Sequence, residues 1–355
     1  MRLPEHDLDH VVEYTRNDFE QLRGRRVFIT GGTGFFGMWL LESFLQANRC
    51  LGLNASAYVL TRSPESFRVR APHLAQERSI VLVRGDMRSF EFPPGEFSCL
   101  IHAATETRLE REREDPLATF ESNLAGTRRV LDFVRACGVR RMLFTSSGAV
   151  YGPQPTDLAL IPEDYPGAPS PVDPKSGYGE AKRLSEFMCA ACARRYGFSV
   201  GIARCFAFAG PHLPLDAGYA VGNFVRDALA GGPIRVNGDG TPLRSYLYAA
   251  DLAIWLWTIL FRGESCRPYN VGSPEAISIA GLASEVTEIV NPGIRIEIAS
   301  EPLPGIAAER YVPSTARAES ELDLRPLISR KEAICRMAEW YGAVNTADAA
   351  FTGAP

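Results

Sequence analysis

The sequence lacks the features of several large protein classes. No run of about 18 uncharged apolar residues occurs among its 355 residues, which argues against a membrane-spanning helix. The opening residues, MRLPEHDLDHVVEY, are charged and lack the apolar centre of a signal peptide. The net charge is −4, with both signs mixed along the chain, so no basic surface for nucleic acid is indicated. We expect a cytoplasmic protein with no membrane or nucleic-acid partner.

Cysteine and histidine do not form the patterns of a disulfide framework or a metal centre. The eight cysteines are scattered, and Cys189 and Cys192 form a CxxC inside a predicted helix without a second pair. The five histidines show no metal-ligand spacing. We interpret the cysteines as small core residues and predict no metal site.

What the sequence does contain is a large share of apolar residues in an alternating pattern. Hydrophobic residues make up 46% of the chain. Near-continuous apolar runs, typical of buried parallel strands, alternate with helical patterns. The predicted strands are 27–30, 57–61, 80–84, 99–103, 142–146 and 200–204, and the predicted helices between them include 37–46, 116–136 and 178–196. This order predicts an α/β fold with a doubly wound parallel sheet.

Three glycines lie where the first strand meets the first helix, in the stretch RRVFITGGTGFFGMWLLESFL. Gly31 allows the positive φ of a tight turn, Gly34 lets the backbone approach a phosphate, and Gly37 lets the helix pack against the strand. The helix N-terminus would then present N–H groups and a partial positive charge to a pyrophosphate, so we predict dinucleotide binding. The other residues of this turn that are predicted to contact the cofactor are Thr33, Phe35 and Phe36.

The chain divides around this dinucleotide-binding unit. Residues 1–24 are predicted to form an N-terminal extension with an amphipathic helix at 8–22, and residues 25–204 a Rossmann domain. Residues 205–345 are predicted to form mainly a smaller, mixed α/β substrate-binding lobe. A segment at about 240–262 is predicted to return to the Rossmann domain. The Pro- and Gly-rich stretch 151–177 is predicted to be a long loop.

Further motifs follow the glycine turn in a set order. They are GDM at 85–87, IHAAT at 101–105, NLAGT at 123–127, TSSGAVYG at 145–152, YGEAK at 178–182, RCFAFAGP at 204–211 and GDGTPLRSYLYAAD at 238–251. Together with the GxxGxxG spacing, this series resembles the extended short-chain dehydrogenase/reductase family, the NAD-dependent epimerases and dehydratases that modify nucleotide sugars. The resemblance covers roughly residues 25–255 and implies a nucleotide-diphosphate sugar as the substrate, with a role in polysaccharide biosynthesis.

The resemblance implies a catalytic set of Ser147, Tyr178 and Lys182. Tyr178 and Lys182 are four residues apart and share one face of a helix. A phenol is a poor base at neutral pH, but a nearby ammonium and an oxidised nicotinamide would lower its pKa. Tyr178 would then exchange a proton with a sugar hydroxyl, Ser147 would hydrogen-bond the same oxygen, and Lys182 would also hold the nicotinamide ribose.

The resemblance also implies cofactor and substrate contacts outside the glycine turn. Those to the cofactor are Asp86, Met87, Ala103, Ala104 and Thr105, together with Tyr178 and Lys182, and those to the substrate are Ser147, Asn223 and Arg244. The second strand ends without an acidic residue and is followed by Arg62 and Ser63, which suit a 2′-phosphate. We therefore predict NADP or NAD, with NADP favoured.

The residues after Ser147 bear on the reaction. In the dehydratase and decarboxylase branches of the family an acidic residue or pair follows the active-site Ser or Thr, whereas this chain has Gly148 and Ala149. Plain hydride transfer at a sugar carbon, with C4 expected, by an epimerase or a ketoreductase, is therefore predicted. A 4,6-dehydratase is the alternative, because the acids that could serve it from loops are Glu106, Glu163 and Asp164.

Three expectations complete the sequence analysis. A non-catalytic dinucleotide sensor or scaffold is the alternative from another class, because fold does not imply function. The family resemblance implies a homodimer formed through paired helices. Two departures from the family pattern, Ala207 where Asn is usual and Ser245 where Asp is usual, would alter a substrate contact and local packing.

Overall fold

The computed structural model describes residues 1–105 and 115–352, with side chains up to residue 344. Its centre is a seven-stranded, all-parallel sheet in the order β3-β2-β1-β4-β5-β6-β11. The strands are β1 Arg26–Thr30, β2 Ser56–Thr61, β3 Ile80–Arg84, β4 Cys99–His102, β5 Arg141–Ser147, β6 Ser199–Cys205, β7 Phe208–Ala209, β8 Ile234–Val236, β9 Leu243–Arg244, β10 Leu247–Tyr248, β11 Pro268–Val271, β12 Ile277–Ser278, β13 Ile296–Ile298 and β14 Arg310–Tyr311. The predicted doubly wound parallel sheet is confirmed.

Helices cover both faces of this sheet. They are α1 Glu5–Glu20, α2 Phe35–Cys50, α3 Pro64–Arg70, α4 Pro72–Ala75, α5 Pro116–Ala136, α6 Gly177–Tyr196, α7 Ala220–Leu229, α8 Ala249–Arg262, α9 Ile279–Val290, α10 Ala316–Leu322 and α11 Arg330–Thr352. Among the residues described, no helix combines the length and apolar character needed to cross a bilayer.

The apolar strands fill two cores, one on each face of the sheet. In β5, Leu143 joins the core that includes α2 and α8, whereas Met142 and Phe144 join the core that includes α5 and α6. Successive side chains of a strand point to opposite faces. A strand buried on both faces must therefore be apolar at nearly every position, which explains the continuous runs in the sequence.

The N-terminal extension is docked rather than loose. Its helix α1 begins at Glu5, three residues earlier than predicted, and packs against α2 and α8. Asp7 is fully buried, where it accepts a 2.6 Å hydrogen bond from the Tyr248 hydroxyl and pairs with Arg336. The extension is thus tied to both α8 and α11.

The second half of the chain alternates between a smaller lobe and the main sheet. The lobe contains the pairs β8–β13 and β9–β14, both parallel, with β12 antiparallel to β9. Helix α8 then packs against β5 and β6, and β11 adds to the main sheet beside β6. The chain therefore returns to the main sheet twice, and the boundary between the two units stays a prediction.

Candidate active site

The predicted cofactor residues meet at one edge of the sheet. The glycine turn follows β1, residues 103–105 follow β4, and Ser147 ends β5. These strands are parallel neighbours, so their carboxyl ends share an edge. The strand order also reverses between β1 and β4, and ligands of such sheets bind in the crevice at that point.

Gly31 and Gly37 are required by the protein itself. Gly31 has φ +72°, and a Cβ there would lie 2.4 Å from the carbonyl carbon of Ala103. A Cβ at Gly37 would lie 2.2 Å from the backbone of Gly32. This close contact is with the turn, and the packing of the helix against the strand through Gly37 stays a prediction.

Gly34 differs from these two glycines. A Cβ there would meet no atom closer than the Gly31 oxygen at 3.5 Å, so no protein contact demands a glycine. In the part of the chain that the structure describes, no side chain caps the N-terminus of α2, which begins directly after Gly34. An uncovered helix N-terminus beside a bare backbone suits a pyrophosphate, so these residues fit a dinucleotide.

The segment after β4 is held by hydrogen bonds from its neighbours. The Ala104 N–H donates to Thr30 Oγ1 at 3.1 Å, and Thr105 Oγ1 donates to Asn123 Oδ1 at 2.9 Å. The Ala103 N–H donates to the Thr30 carbonyl at 3.1 Å. These bonds fix residues 103–105 beside the glycine turn.

Among the predicted cofactor residues after β2 and β3, Asp86, Met87 and Ser63 contact protein groups, whereas Arg62 is exposed. Asp86 accepts a 2.7 Å hydrogen bond from the Arg88 side chain, and this bond lowers the pKa of the Asp86 carboxyl. Met87 packs against Gly126, where a Cβ would lie 2.8 Å from the Met87 sulfur. Arg62 is exposed and Ser63 Oγ caps α3 by accepting from the Ser66 N–H at 3.3 Å.

The turn residues between the glycines have different surroundings. The Thr33 carbonyl accepts a hydrogen bond from Arg70. The Phe36 ring packs edge-on against Phe208, with 5.2 Å between centroids, and the Phe35 ring lies 5.7 Å from that of Phe36. The aromatic pair therefore joins the start of α2 to β7.

Tyr178, Lys182 and Ser147 come together as the sequence predicted. Lys182 is buried and its Nζ donates to the Thr145 carbonyl at 2.8 Å, 5.8 Å from the centre of the Tyr178 ring. Burial lowers the pKa of Lys182 to about 8. Burial raises the pKa of Tyr178 well above its ordinary value, and a hydrogen-bonding interaction with Ser147 opposes that rise. The protein alone therefore does not produce the lowered phenol pKa that was expected from Lys182.

A partly buried ionic network fixes the helix that carries two of these residues. Glu186 of α6 accepts hydrogen bonds from Ser146 of β5 at 2.5 Å and from Arg204 of β6 at 2.8 Å. Because Glu186 lies one turn beyond Lys182, this network holds α6 in register with both strand ends.

Two of the three acids considered for a dehydratase lie in the described part of the chain, and each has other surroundings. Glu163 is buried and accepts from the Asn270 N–H at 2.9 Å, with Arg317 3.8 Å away, so it belongs to the scaffold. Asp164 is exposed, and Glu106 lies outside the described residues.

The structure adds one residue that the sequence analysis missed. Tyr311 of β14 reaches the same site, and its hydroxyl interacts with Ser147. Its two-residue strand has no periodicity and lies far along the chain from Tyr178, so no local signal indicated it.

The predicted substrate residues lie in the smaller lobe. Asn223 of α7 lines a cavity of about 210 Å³, and its Oδ1 is buried without a hydrogen-bond partner among the described residues. Arg244 of β9 is half-buried, 3.5 Å from Glu309. Beside it, Ser245 is buried and its Oγ likewise lacks a partner in the described part of the chain. The two predicted contacts are thus on separate elements of one lobe.

Comparison with known families decides the assignment. The model of the NAD-dependent epimerase/dehydratase family matches residues 27–272.

The chain belongs to this family.

Curated and solved relatives of this family member agree with that assignment. UDP-glucuronic acid decarboxylase 3 of Arabidopsis thaliana is 30% identical over 314 residues, with 88% of each chain covered. The solved dTDP-glucose 4,6-dehydratase of Streptomyces venezuelae, with NAD bound, is 23% identical, covers 91% of this chain and 98% of its own, and has a TM-score of 0.76. The UDP-glucose 4-epimerase of Thermus thermophilus, in complex with NAD, is 25% identical over 88% of this chain and 98% of its own, with a TM-score of 0.71. The predicted family and enzyme class are confirmed.

Replacement of Gly34 separates cofactor binding from folding. We expect Gly34→Ala to keep the free energy of unfolding within about 0.5 kcal/mol of the native value, because its φ of −89° and its surroundings accept a methyl group. Dinucleotide affinity should fall about tenfold or more, because the methyl group stands where a phosphate approaches. Calorimetric titration and chemical denaturation measure the two effects.

Two further glycines provide the comparison. Gly31→Ala should lower both stability and affinity, whereas Gly232→Ala, where a Cβ meets nothing within 4 Å, should change neither. Unchanged dinucleotide affinity in Gly34→Ala would contradict the assignment of this turn.

Proposed function

We propose that this family member is a nucleotide-sugar epimerase or ketoreductase that acts by hydride transfer at C4 of the sugar. The observation that carries the proposal is the meeting of Ser147, Tyr178 and Lys182 at the carboxyl edge of the sheet, followed by Gly148 and Ala149, which cannot carry a proton. Cleavage of a C5–H bond and loss of the C6 hydroxyl would need further acid–base groups at this point.

The proposed chemistry assigns one task to each residue. When bound, the dinucleotide supplies the hydride acceptor or donor. Tyr178 takes the proton of the sugar hydroxyl or returns it, and Ser147 hydrogen-bonds the same oxygen. Lys182 contacts the nicotinamide ribose, and below pH about 8 its positive charge favours the phenolate of Tyr178. Because burial raises the pKa of Tyr178 in the protein itself, the positive charge of an oxidised nicotinamide would be needed beside that of Lys182 to favour the phenolate.

A 4,6-dehydratase is the second candidate function. The similarity to UDP-glucuronic acid decarboxylases and to the fold of dTDP-glucose 4,6-dehydratases supports it. The described acids speak against it, because Glu163 is held by Asn270 and Arg317 and Asp164 is exposed. A non-catalytic sensor is less well supported, since sensing needs none of the three catalytic side chains.

A panel of nucleotide sugars tests the proposed reaction. The purified protein is incubated with UDP-glucose, UDP-galactose, dTDP-glucose and, with NADPH, a 4-keto-6-deoxy nucleotide sugar, and products are identified by NMR. We expect a C4 epimer or a reduced 4-keto sugar. A 4-keto-6-deoxy product from dTDP-glucose would establish the dehydratase instead, and no conversion of any sugar would favour the sensor.

Tyr178→Phe is the control for that panel. Loss of the phenolic oxygen should lower turnover at least about 100-fold, because it removes the group that is proposed to exchange the proton with the sugar hydroxyl. Dinucleotide affinity should stay within about twofold, since Lys182 and the glycine turn remain. Full activity in this variant would contradict the mechanism.

We infer that the cofactor is NADP, with NAD as the alternative that the family name and the NAD complex of the Thermus thermophilus epimerase support. Arg62 is exposed at the end of β2 and has no acidic residue beside it at positions 61 or 63. Its positive charge acts on Asp86 and helps to lower the pKa of that carboxyl. An exposed guanidinium at the ribose end of the crevice suits a 2′-phosphate.

Cofactor identity is measured by denaturing the purified protein and identifying the released dinucleotide by mass. About one dinucleotide per chain would indicate internal recycling and therefore an epimerase or a dehydratase, whereas an empty protein that prefers NADPH would indicate a reductase. Arg62→Ala should weaken NADP⁺ binding about tenfold and leave NAD⁺ unchanged. Arg194→Ala, at the far end of α6, should affect neither, and equal loss for both cofactors in Arg62→Ala would overturn this inference.

We further propose a homodimer formed through α5 and α6. These helices pack against each other and leave Leu117, Leu184 and Phe187 exposed, with Phe187 at 70%. Exposed large apolar side chains on one helix pair are typical of an interaction surface.

Light scattering tests the dimer. Phe187→Glu should shift the protein to a monomer, because a carboxylate would be buried against the partner copy. Val69→Glu changes a more exposed apolar residue on α3 and should leave the dimer intact. A monomeric wild-type protein would contradict the proposal.

The wider setting stays a prediction. A cytoplasmic location, a nucleotide-diphosphate sugar as substrate and a place in polysaccharide biosynthesis agree with the family. The panel of nucleotide sugars tests the predicted substrate directly.

A further inference from the structure

Tyr311 brings a side chain of the smaller lobe into the catalytic site. Its strand β14 pairs in parallel with β9, which places Tyr311 opposite Arg244. From there the ring packs at 4.6 Å from the ring of Phe206, which follows β6. The hydroxyl lies beside Gly148, at the end of β5, and interacts with Ser147.

Gly148 and Tyr311 depend on each other. A Cβ at Gly148 would lie 2.7 Å from the Tyr311 hydroxyl oxygen and 2.8 Å from the Phe206 ring. A side chain at position 148 therefore cannot coexist with Tyr311 in its present place. Dehydratases of the family are expected to carry an acid at the position of Gly148. In this chain the phenol of Tyr311, from the smaller lobe, occupies the space that a side chain at position 148 would need.

The Ser147 hydroxyl has a limited set of hydrogen bonds to make. A hydroxyl donates one hydrogen and accepts two. Ser147 Oγ already accepts from the Ala149 N–H at 3.1 Å. Burial raises the pKa of Tyr311 to about 12, so at neutral pH its hydroxyl keeps its proton and can donate. A bond from Tyr311 would occupy the second acceptor position of Ser147, and the Ser147 proton would then have to point elsewhere.

We propose that Tyr311 is a positioning residue that donates to Ser147 Oγ and so directs the single Ser147 hydroxyl proton toward the Tyr178 oxygen when no sugar is bound, and toward the reacting sugar oxygen when one is. The sugar contact rests on the proposed function, whereas the effect on Tyr178 does not. Without Tyr311, the Ser147 hydroxyl can rotate away and stabilises the Tyr178 phenolate less. Tyr311 acts through Ser147 and not by proton transfer of its own.

The first test titrates Tyr178 directly. Ultraviolet difference spectra of each protein against its Tyr178→Phe counterpart, in the complex with NADP⁺ or NAD⁺, report the Tyr178 phenolate. We expect Tyr311→Phe to raise the pKa of Tyr178 by roughly half a unit to one unit, because a stabilising hydrogen bond to the phenolate is weakened. In a Ser147→Ala background the same change should have no effect, since the group through which it acts is gone.

Turnover provides the second readout. The base is active above its pKa, so the acid limb of the kcat profile should move to higher pH in Tyr311→Phe, and kcat at neutral pH should fall about threefold to tenfold. KM should change little, because Phe keeps the backbone pairing of position 311 with Arg244 and leaves Asn223 untouched. Tyr196→Phe, an exposed tyrosine at the end of α6, is the matched control and should leave both readouts unchanged.

A second variant guards against a folding defect. Gly148→Ala should displace the Tyr311 hydroxyl and reproduce the effect of Tyr311→Phe, and the combination of the two should be no worse than Gly148→Ala alone. Unchanged dinucleotide affinity and melting temperature show that each variant is folded.

Two results would overturn the proposal. One is an unchanged Tyr178 titration in Tyr311→Phe, and the other is a shift of the same size in the Ser147→Ala background. If the wild-type protein converts no nucleotide sugar, the proposed function fails, yet the titration in the dinucleotide complex still decides the role of Tyr311.

Discussion

Parallel pairing of β1 with β4 on one side and β2 on the other is the constraint on which the site depends. Parallel strands deliver all their carboxyl ends to one edge, so the glycine turn, residues 103–105 and Ser147 meet although long helices separate them in sequence. Thr30 shows how closely these two strand ends are held together. It ends β1, and its side-chain oxygen accepts a hydrogen bond from the Ala104 N–H in the segment after β4. A shift in this register would move every cofactor contact at once.

Burial is the second influence on the chemistry. Lys182 and Tyr178 lie in a region that penalises charge, so Lys182 gives up its proton more readily and Tyr178 less readily than in water. Glu186, bonded to Ser146 and Arg204, keeps α6 against the strand ends despite that cost. The protein thus supplies fixed geometry, and the charge needed to ionise Tyr178 arrives with the ligands.

Local sequence patterns predicted most of the main sheet and the glycine turn, because continuous apolar runs and positive φ leave a signal within a few residues. The 116–136 helix and the 80–84 strand have the bounds that the sequence indicated. Contacts between distant segments left no such signal. Gly37 contacts the backbone of Gly32 in the turn, and Glu163 accepts a hydrogen bond from Asn270. Tyr311 reaches Ser147 from β14, a strand of two residues that pairs with β9.

The pairing of β9 with β14 has a consequence for protein engineering. Exchanging the smaller lobe between relatives is an obvious way to change which sugar nucleotide is accepted. In this chain the exchange would also remove Tyr311, which stands opposite Arg244 and fills the room left by Gly148. A chimera would therefore inherit a hole beside Ser147, or a clash if the donor lobe brings a bulkier residue, unless position 148 is redesigned together with the lobe.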